Sequence, residues 1–344
     1  MHRIESEIKM KIKNFKEVYP GIFRIVEHRS LKVTPPINLY VIAGSDGLLF
    51  DGGYGDDVSI QIVGDAIDYV QSINKNWRIT RVLLSHTHPD HFAGLRRLQQ
   101  QYHLTIMLTE PMTHVIANRK SYIHANKEDG VLKKRYSTIQ QRLAALPLEF
   151  FYQKMFKKLY GIQYVPNPDT IISPHDTITV DNTKWKIIPG PGHCADHIML
   201  YNKEQGILFG GDNVLRSIYT WLGPPRSDLQ AYMQTLHSCL QLPHLECILG
   251  AHGKPVANPK QRIEQIIEYR KSRTKQIYSI IANAPNGGIT FDRLMNMMYP
   301  KKNGHRWLGR GWIIVTIEYL LNKNALMFQD KKIIANPVDI NSLL

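Results

Sequence analysis

Four side chains of metal-binding type crowd into six residues: His86, His88, Asp90 and His91, in the run Ser85-His-Thr-His-Pro-Asp-His91. An apolar, strand-like stretch, Ile79-Thr-Arg-Val-Leu-Leu-Ser85, precedes the run, and a helix is expected from about Phe92. The run therefore belongs to a strand-to-helix loop, where imidazoles and carboxylates converge without breaking a backbone hydrogen-bond ladder. Spacings of two, four and five residues do not share one helix face, so a tight loop has to gather these groups. Neutral imidazole and ionised carboxylate are the ligands that borderline divalent metals such as zinc accept. With 15 histidines in 344 residues, chance seldom brings three of them and an aspartate into one hexamer.

Three later positions repeat the pattern of an apolar run followed by a glycine-flanked polar residue. His193 ends Pro-Gly-Pro-Gly-His after Trp185-Lys-Ile-Ile188, Asp212 ends Gly-Gly-Asp after Gly206-Ile-Leu-Phe209, and His252 lies in Gly-Ala-His-Gly after Cys247-Ile-Leu-Gly250. Glycine admits positive φ and close backbone approach, which lets a side chain project from the rim of a sheet. One such corner is weak as a signal, but three in order after the hexamer are strong.

With these residues in place the chain resembles the metallo-β-lactamase superfamily over roughly residues 20–255, and the set His-x-His-x-Asp-His, His, Asp, His is complete. The resemblance implies an α+β fold, an αββα sandwich with two metals at one sheet edge. By that likeness His86, His88 and His193 hold the first metal, Asp90, His91 and His252 the second, and Asp212 bridges them. The metals implied are two Zn2+ per chain, with Mn2+ or Fe2+ as alternatives. Asp51, in Leu-Leu-Phe-Asp-Gly-Gly, matches an early strand-end aspartate that orients ligands, and reads equally as a turn residue. True β-lactamases commonly place a cysteine at the second metal, and none of Cys194, Cys239 and Cys247 stands where one is needed. An aspartate bridge is instead similar to the glyoxalase II, thioesterase and nuclease branches. Flavin-partnered di-iron relatives usually carry glutamate where His88 stands.

Two metals about 3.5–4 Å apart can share a hydroxide and ionise bound water near neutral pH. In such a site Asp90 is a ligand first and a catalytic proton acceptor second. His197, four residues beyond His193, reads either as a group behind the ligands or substrate, or as a strand-start residue turned into the packing. Asp196 beside it is left undetermined. The loop at 213–227 follows Asp212 directly, so Arg216, Tyr219, Trp221 and Arg226 are substrate-contact candidates by proximity, with loop packing as the alternative.

The net charge of +14 is unevenly spread. Residues 111–165 carry ten Lys or Arg against three acids, and residues 253–344 carry fifteen against six. The remainder is slightly negative, so the positive field comes from an insertion and a tail. Such a field favours anionic partners, whether a small-molecule substrate or RNA. No apolar stretch approaches the roughly 18–20 residues needed to cross a bilayer. The mixed-charge start lacks a secretory core, and three cysteines make no even disulfide framework. The expectation is a cytoplasmic protein with no membrane partner, with a homodimer left open.

Organisation along the chain follows. Residues 1–20 read as an irregular lead-in. Gly21–Val26, Ile37–Ala43 and Gly47–Phe50 read as strands, and Ser59–Ile73 as a helix. The 111–165 segment reads as a basic helical insertion or lid, with helical runs at 138–146 and 149–159 and aromatics Phe150, Phe151, Tyr152, Phe156 and Tyr160. Asp169–Leu208 reads as short strands completing the second sheet. After the catalytic domain (1–255), residues 256–344 read as a C-terminal domain: helices over Pro259–Ala282, Ile289–Met298 and Trp312–Lys323, then a hairpin of Ala325–Gln329 and Lys332–Ala335. That order resembles β-lactamase-like hydrolases with a C-terminal winged-helix domain. The leading functional expectation is a binuclear zinc hydrolase of a small ester or thioester. The alternatives are an endoribonuclease or phosphodiesterase acting on single-stranded RNA, and a non-catalytic nucleic-acid-binding protein, which seven intact ligands disfavour.

Overall fold

A computed structural model of the chain describes residues 15–27, 36–128, 135–136, 158–300 and 304–343. Two sheets face each other. The first has seven strands in chain order: β1 Phe15–Tyr19, β2 Ile22–Glu27, β3 Ile37–Ile42, β4 Gly47–Phe50, β5 Ile79–Leu83, β6 Thr105–Thr109 and β7 Thr170–Ile172. The second is ordered β12-β11-β10-β9-β8, from β8 Thr177–Val180, β9 Thr183–Pro189, β10 Ile198–Asn202, β11 Ile207–Gly211 and β12 Cys247–Gly250. The α+β sandwich implied by the family resemblance is the fold observed.

The strand sequences explain why both faces of the second sheet are covered. Successive side chains point to opposite faces. Ile198, Leu200, Ile207, Phe209, Cys247 and Leu249 enter the core between the sheets, while Met199, Tyr201, Leu208 and Ile248 enter a second core beneath helices. Phe209 sits at the sandwich centre, its ring 5.2 Å from Tyr40, 5.4 Å from Phe50 and 5.2 Å from Trp185. Burial of one such ring is worth about 1.5–3 kcal/mol.

Outside the first sheet lies α1, Asp57–Ile73, which turns Ile60, Val63, Ala66, Ile67 and Val70 inward. Asp56 caps it by accepting a bond from the Ser59 amide, satisfying one of the orphan donors of the first turn. The helix expected from about Phe92 is split in two, α2 Pro89–Phe92 and α3 Leu95–Tyr102, about Gly94. There a Cβ would come 2.2 Å from the Gly52 carbonyl, so the bend needs glycine. Next come α4 Glu110–Ile116 and α5 Arg119–Ala125, the described start of the basic insertion. The helical run expected at 138–146 and residues 149–157 of the one expected at 149–159, with Phe150, Phe151, Tyr152 and Phe156, lie outside the described residues; the described end, 158–160, is helical. Tyr160 is buried against Tyr54.

Two expectations are corrected. The lead-in is not wholly irregular: Phe15–Tyr19 pairs antiparallel with β2, its Phe15 ring stacking on Phe23. Residues Thr170–Ile172 do not join the second sheet but add to the first, parallel to β6.

Helix α6, Leu229–Leu240, and the first half of α7, Pro259–Ala282, cover the second sheet. The later turns of α7 bury Ile277 and Ile281 in a third core. That core also holds α8 Phe291–Met298, α9 Gly304–Asn322 and a small sheet ordered β13-β15-β14. Its strands are β13 Ile289–Thr290, β14 Leu326–Gln329 and β15 Lys332–Ala335. Helices and hairpin come in the order read from the sequence. The expected second helix begins two residues later because Ile289–Thr290 pair with β15. Val315 of α9 lies in the core beneath the second sheet, so the C-terminal region and the sandwich share packing. Among the described residues, no helix is long and apolar enough to cross a membrane.

Candidate metal centre

Several strands of the sandwich that end at one rim deliver a polar residue there. Asp51 follows β4, His86 to His91 follow β5, Asp212 follows β11 and His252 follows β12; His193 lies in the β9–β10 turn. Backbone bonds lace the two sheets at this rim: Ile198 N–H to Ser85 O at 2.8 Å and Asn38 N–H to Ala251 O at 2.7 Å. The glycine corners serve close approach. A Cβ on Gly192 would lie 2.2 Å from the Tyr232 Cα, and one on Gly211 (φ +49°) 2.5 Å from His197 Nε2.

The seven residues read as ligands converge as two groups, His86, His88, His193 and Asp212 in one, Asp90, His91 and His252 in the other. Within the first, His88 Nδ1 lies 3.0 Å from His86 Nε2 and 2.9 Å from His193 Nε2. Asp212 joins the groups: one carboxylate oxygen is 3.4 Å from His193 Nε2, the other 3.3 Å from His252 Nε2 and 3.7 Å from His91 Nε2. Asp90 closes the second group at 3.7 Å from His252 Nε2 and 4.0 Å from His91 Nε2.

The inner nitrogens are aimed by what holds the outer ones. His193 Nδ1–H donates to the Trp221 carbonyl at 2.7 Å, and His252 Nδ1–H donates to the Pro36 carbonyl at 2.9 Å. His91 Nδ1 lies 2.9 Å from an Asp51 carboxylate oxygen. Asp51 also accepts from the Ser85 amide (2.7 Å) and hydroxyl (3.0 Å), contacts that a plain turn residue would not need. Its φ of +69° is one an aspartate tolerates better than most side chains. Fixing one imidazole nitrogen with a hydrogen acceptor leaves the other's lone pair free.

Charge divides the groups. Burial, reinforced by crowding with other imidazoles, drives His86 and His88 well below the ordinary histidine pKa and lowers His193. Burial also pulls at His91 and His252, but Asp51 and Asp90 lift the first to about 10, and Asp212 with Asp90 lifts the second to about 9. Burial opposes ionisation of Asp212, yet His252, His91 and His193 hold its carboxyl well below the usual range.

His91 Nε2 and one Asp212 oxygen are buried with no hydrogen-bond partner. Such atoms are costly unless something else satisfies them, and a cation seated between them would do so. Five imidazoles and two carboxylates, without a thiolate, suit zinc and its neighbours. The residues present therefore fit a metal pair. Cys194 stands outside both groups, and burial holds its thiol well above the ordinary value, so it is an inert core residue.

The remaining candidates separate. His197 is buried behind the ligands: its ring stacks on His86 at 4.8 Å and Nε2 accepts the Asp212 amide at 3.2 Å. Burial and the neighbouring His193 lower it to about 3, which keeps that nitrogen an acceptor. Arg226 is not a free pocket guanidinium. Its side chain is 9% exposed, pairs with Asp196 at 2.7 Å and donates to the Thr87 hydroxyl. Asp196 also accepts from that hydroxyl at 2.7 Å, so the pair braces the residue between His86 and His88. Tyr219 stacks on Tyr269 of α7 at 3.6 Å beneath Arg262, and Arg216 is exposed. Trp221 is 38% exposed, and its indole N–H donates to the Leu308 carbonyl of α9. Ser85, Thr87 and the carbonyls of Pro36 and Trp221 were missed. A serine or threonine is too common to stand out, and a carbonyl carries no residue signature; only Asp196, already noticed beside His197, offered a lead.

Comparison with known proteins agrees with this geometry. The family model described as Metallo-beta-lactamase superfamily matches residues 34–252. The chain is 31% identical over 137 residues to Thioesterase pkgB of Emericella nidulans, covering 37% of this chain and 38% of that one. It is 23% identical over 271 residues to the Beta-lactamase-like protein 2 homolog of Drosophila melanogaster, covering 78% and 76%. The first relatives it matches are spanned over only 38–40% of their own length. Among solved structures, a beta-lactamase domain protein from Burkholderia ambifaria superposes with a TM-score of 0.73 at 17% identity, over 94% of both chains.

Proposed function

The chain belongs to the metallo-β-lactamase superfamily of hydrolases, and on that premise we propose that it is a binuclear enzyme cleaving an acyl thioester or a small ester. The observation that carries the proposal is Asp212, whose two oxygens reach imidazole nitrogens of both ligand groups. His86, His88 and His193 would hold one cation, Asp90, His91 and His252 the other, and Asp212 both. When bound, a pair of zinc ions supplies Lewis acidity and a water ionised near neutral pH.

The chain's own residues do the rest. Asp51 and the carbonyls of Pro36 and Trp221 fix the imidazole orientations before substrate arrives. Asp90 and His88 are the two ligands only half-buried, so the substrate approaches across them. Asp90 is then the carboxylate placed to accept the proton that hydrolysis releases. The thioester reading is supported by a relative described as a thioesterase. The positive charge of residues 111–165 suits an anionic carrier on the acyl group. Three free, buried cysteines suit a reducing compartment such as the cytoplasm.

The test is metal analysis of protein purified without chelator, followed by a panel of acyl thioesters, lactones and short RNAs. Two ions per chain with thioester turnover abolished in Asp212→Ala is the expected result. One ion per chain, or RNA cleavage with no thioester turnover, overturns it. The basic tail at 253–344 favours the RNA reading as the second choice. In that case affinity for RNA falls steeply between low and moderate salt.

A further inference from the structure

A cavity of about 140 Å³ opens between α6, α7 and α9, and none of the seven metal ligands lines it. Gln230, Gln234 and His237 come from one face of α6, spaced by four and three residues as a helix requires. Arg270 and Lys271 come from α7, and Tyr319 from α9. The lining holds Arg270, Lys271, His237 and two amides on an otherwise largely apolar wall that includes Leu229 and Met233, and no acidic residue.

Arg270 is the unusual member. It is 5% exposed, yet among the described residues no carboxylate pairs with it. Its guanidinium donates to the Thr220 carbonyl, and its Nε is buried without a hydrogen-bond partner. Beyond that carbonyl it is within hydrogen-bond reach of the Tyr232 hydroxyl, and the rings of Tyr232 and Tyr269 lie 5.5 and 5.7 Å away, all of them uncharged partners. A buried guanidinium without a counter-charge is costly, because ring quadrupoles repay only part of the lost hydration. An anion in the cavity would supply the missing charge, with the amides of Gln230 and Gln234 and the ammonium of Lys271 as further donors. A cavity of about 150 Å³ holds one molecule the size of benzene, so this space suits a phosphate or carboxylate group rather than a whole nucleotide.

We propose that this cavity is a binding site for a small oxyanion, a phosphate or a carboxylate, distinct from the metal centre. The site has a short route to that centre. Thr220, whose carbonyl Arg270 holds, donates its hydroxyl to the Asp212 carbonyl, and the next residue, Trp221, fixes His193. An anion that draws on Arg270 therefore bears on the loop carrying the bridging carboxylate. The proposal does not depend on which bond the metal centre cleaves.

The test is calorimetric titration of the full chain with inorganic phosphate, and with acetate in parallel. It is made on the unaltered protein and on Asp212→Ala, Lys271→Glu and Arg270→Met. Saturable binding of either anion, retained in Asp212→Ala and weakened about tenfold or more by Lys271→Glu, is the expected result. The anion preferred separates a phosphate from a carboxylate site. Arg270→Met should abolish the binding; if it fails to fold, Lys271→Glu still decides the matter. Binding lost in Asp212→Ala would place the anion on the metal centre, and binding unchanged in Lys271→Glu, or none at all, equally overturns the proposal.

Discussion

Of the two ligand groups, His86, His88 and His193 are crowded imidazoles that burial drives toward the neutral form. In the other group, His91 and His252 face carboxylates that lift them to about 10 and about 9. The first group offers lone pairs at once, whereas in the second a cation must displace protons. The second is also the more internally compensated, since Asp51, Asp90 and Asp212 balance its imidazoles without any ion. What the contrast teaches is that one rim holds two differently prepared half-sites, joined by a single carboxylate.

The most disruptive test removes that joint. Asp212→Ala should lose both ions and lower turnover on the order of a thousandfold or more, measured by metal content and initial rates; retention of two ions would break the comparison. Next come the halves. His88→Ala and His252→Ala should each cost roughly a hundredfold in rate while leaving about one ion bound, and loss of both from either would show that the groups do not fill separately. Asp51→Asn acts directly on His91 of the second group and reaches the first only through the Ser85 hydroxyl, 3.0 Å from His86 Nδ1. It should weaken metal affinity in the second group about 10–100-fold, read by competition with a chromogenic chelator, with the first group less affected.

The smallest effect on chemistry, but a clear one on folding, is expected behind the first group. Asp196→Asn leaves the 9%-exposed Arg226 without its partner and should destabilise the fold by about 3 kcal/mol at neutral pH in denaturant titrations. Burial alone would raise the Asp196 carboxyl, but Arg226 and the Thr87 hydroxyl hold it below the ordinary value. Its contribution is therefore complete above the unfolded carboxyl pKa of about 3.9 and fades as pH falls toward the lower folded value. The gap between the two proteins should narrow from neutral pH to about pH 3; a constant gap would mean the pair is not what stabilises.

Much of this molecule could be read without coordinates. The hexamer and the three glycine corners named all seven residues that converge at the rim, because metal chemistry restricts ligands to few residue types and glycine marks where backbone must approach closely. Helix α7 was legible to its ends, with Ile263, Ile266 and Ile267 in register. So was the terminal hairpin, turning at Asp330–Lys331, where both φ values are positive. Local periodicity is written in neighbouring residues, so it survives in the linear chain.

Other features were not legible. Thr170–Ile172 reads as a strand, but its pairing with β6 rather than the second sheet depends on a partner some sixty positions away. Arg226 looked free to meet substrate until Asp196, thirty residues earlier, was folded against it. The carbonyls of Pro36 and Trp221 that aim His252 and His193 are identical in kind to every other carbonyl. Residue chemistry and short-range spacing thus determined the candidate ligand set and the element types. Only the packed structure decided which arginine is consumed as a brace and which is left buried without a counter-charge, because these depend on distances between segments that spacing along the chain does not encode.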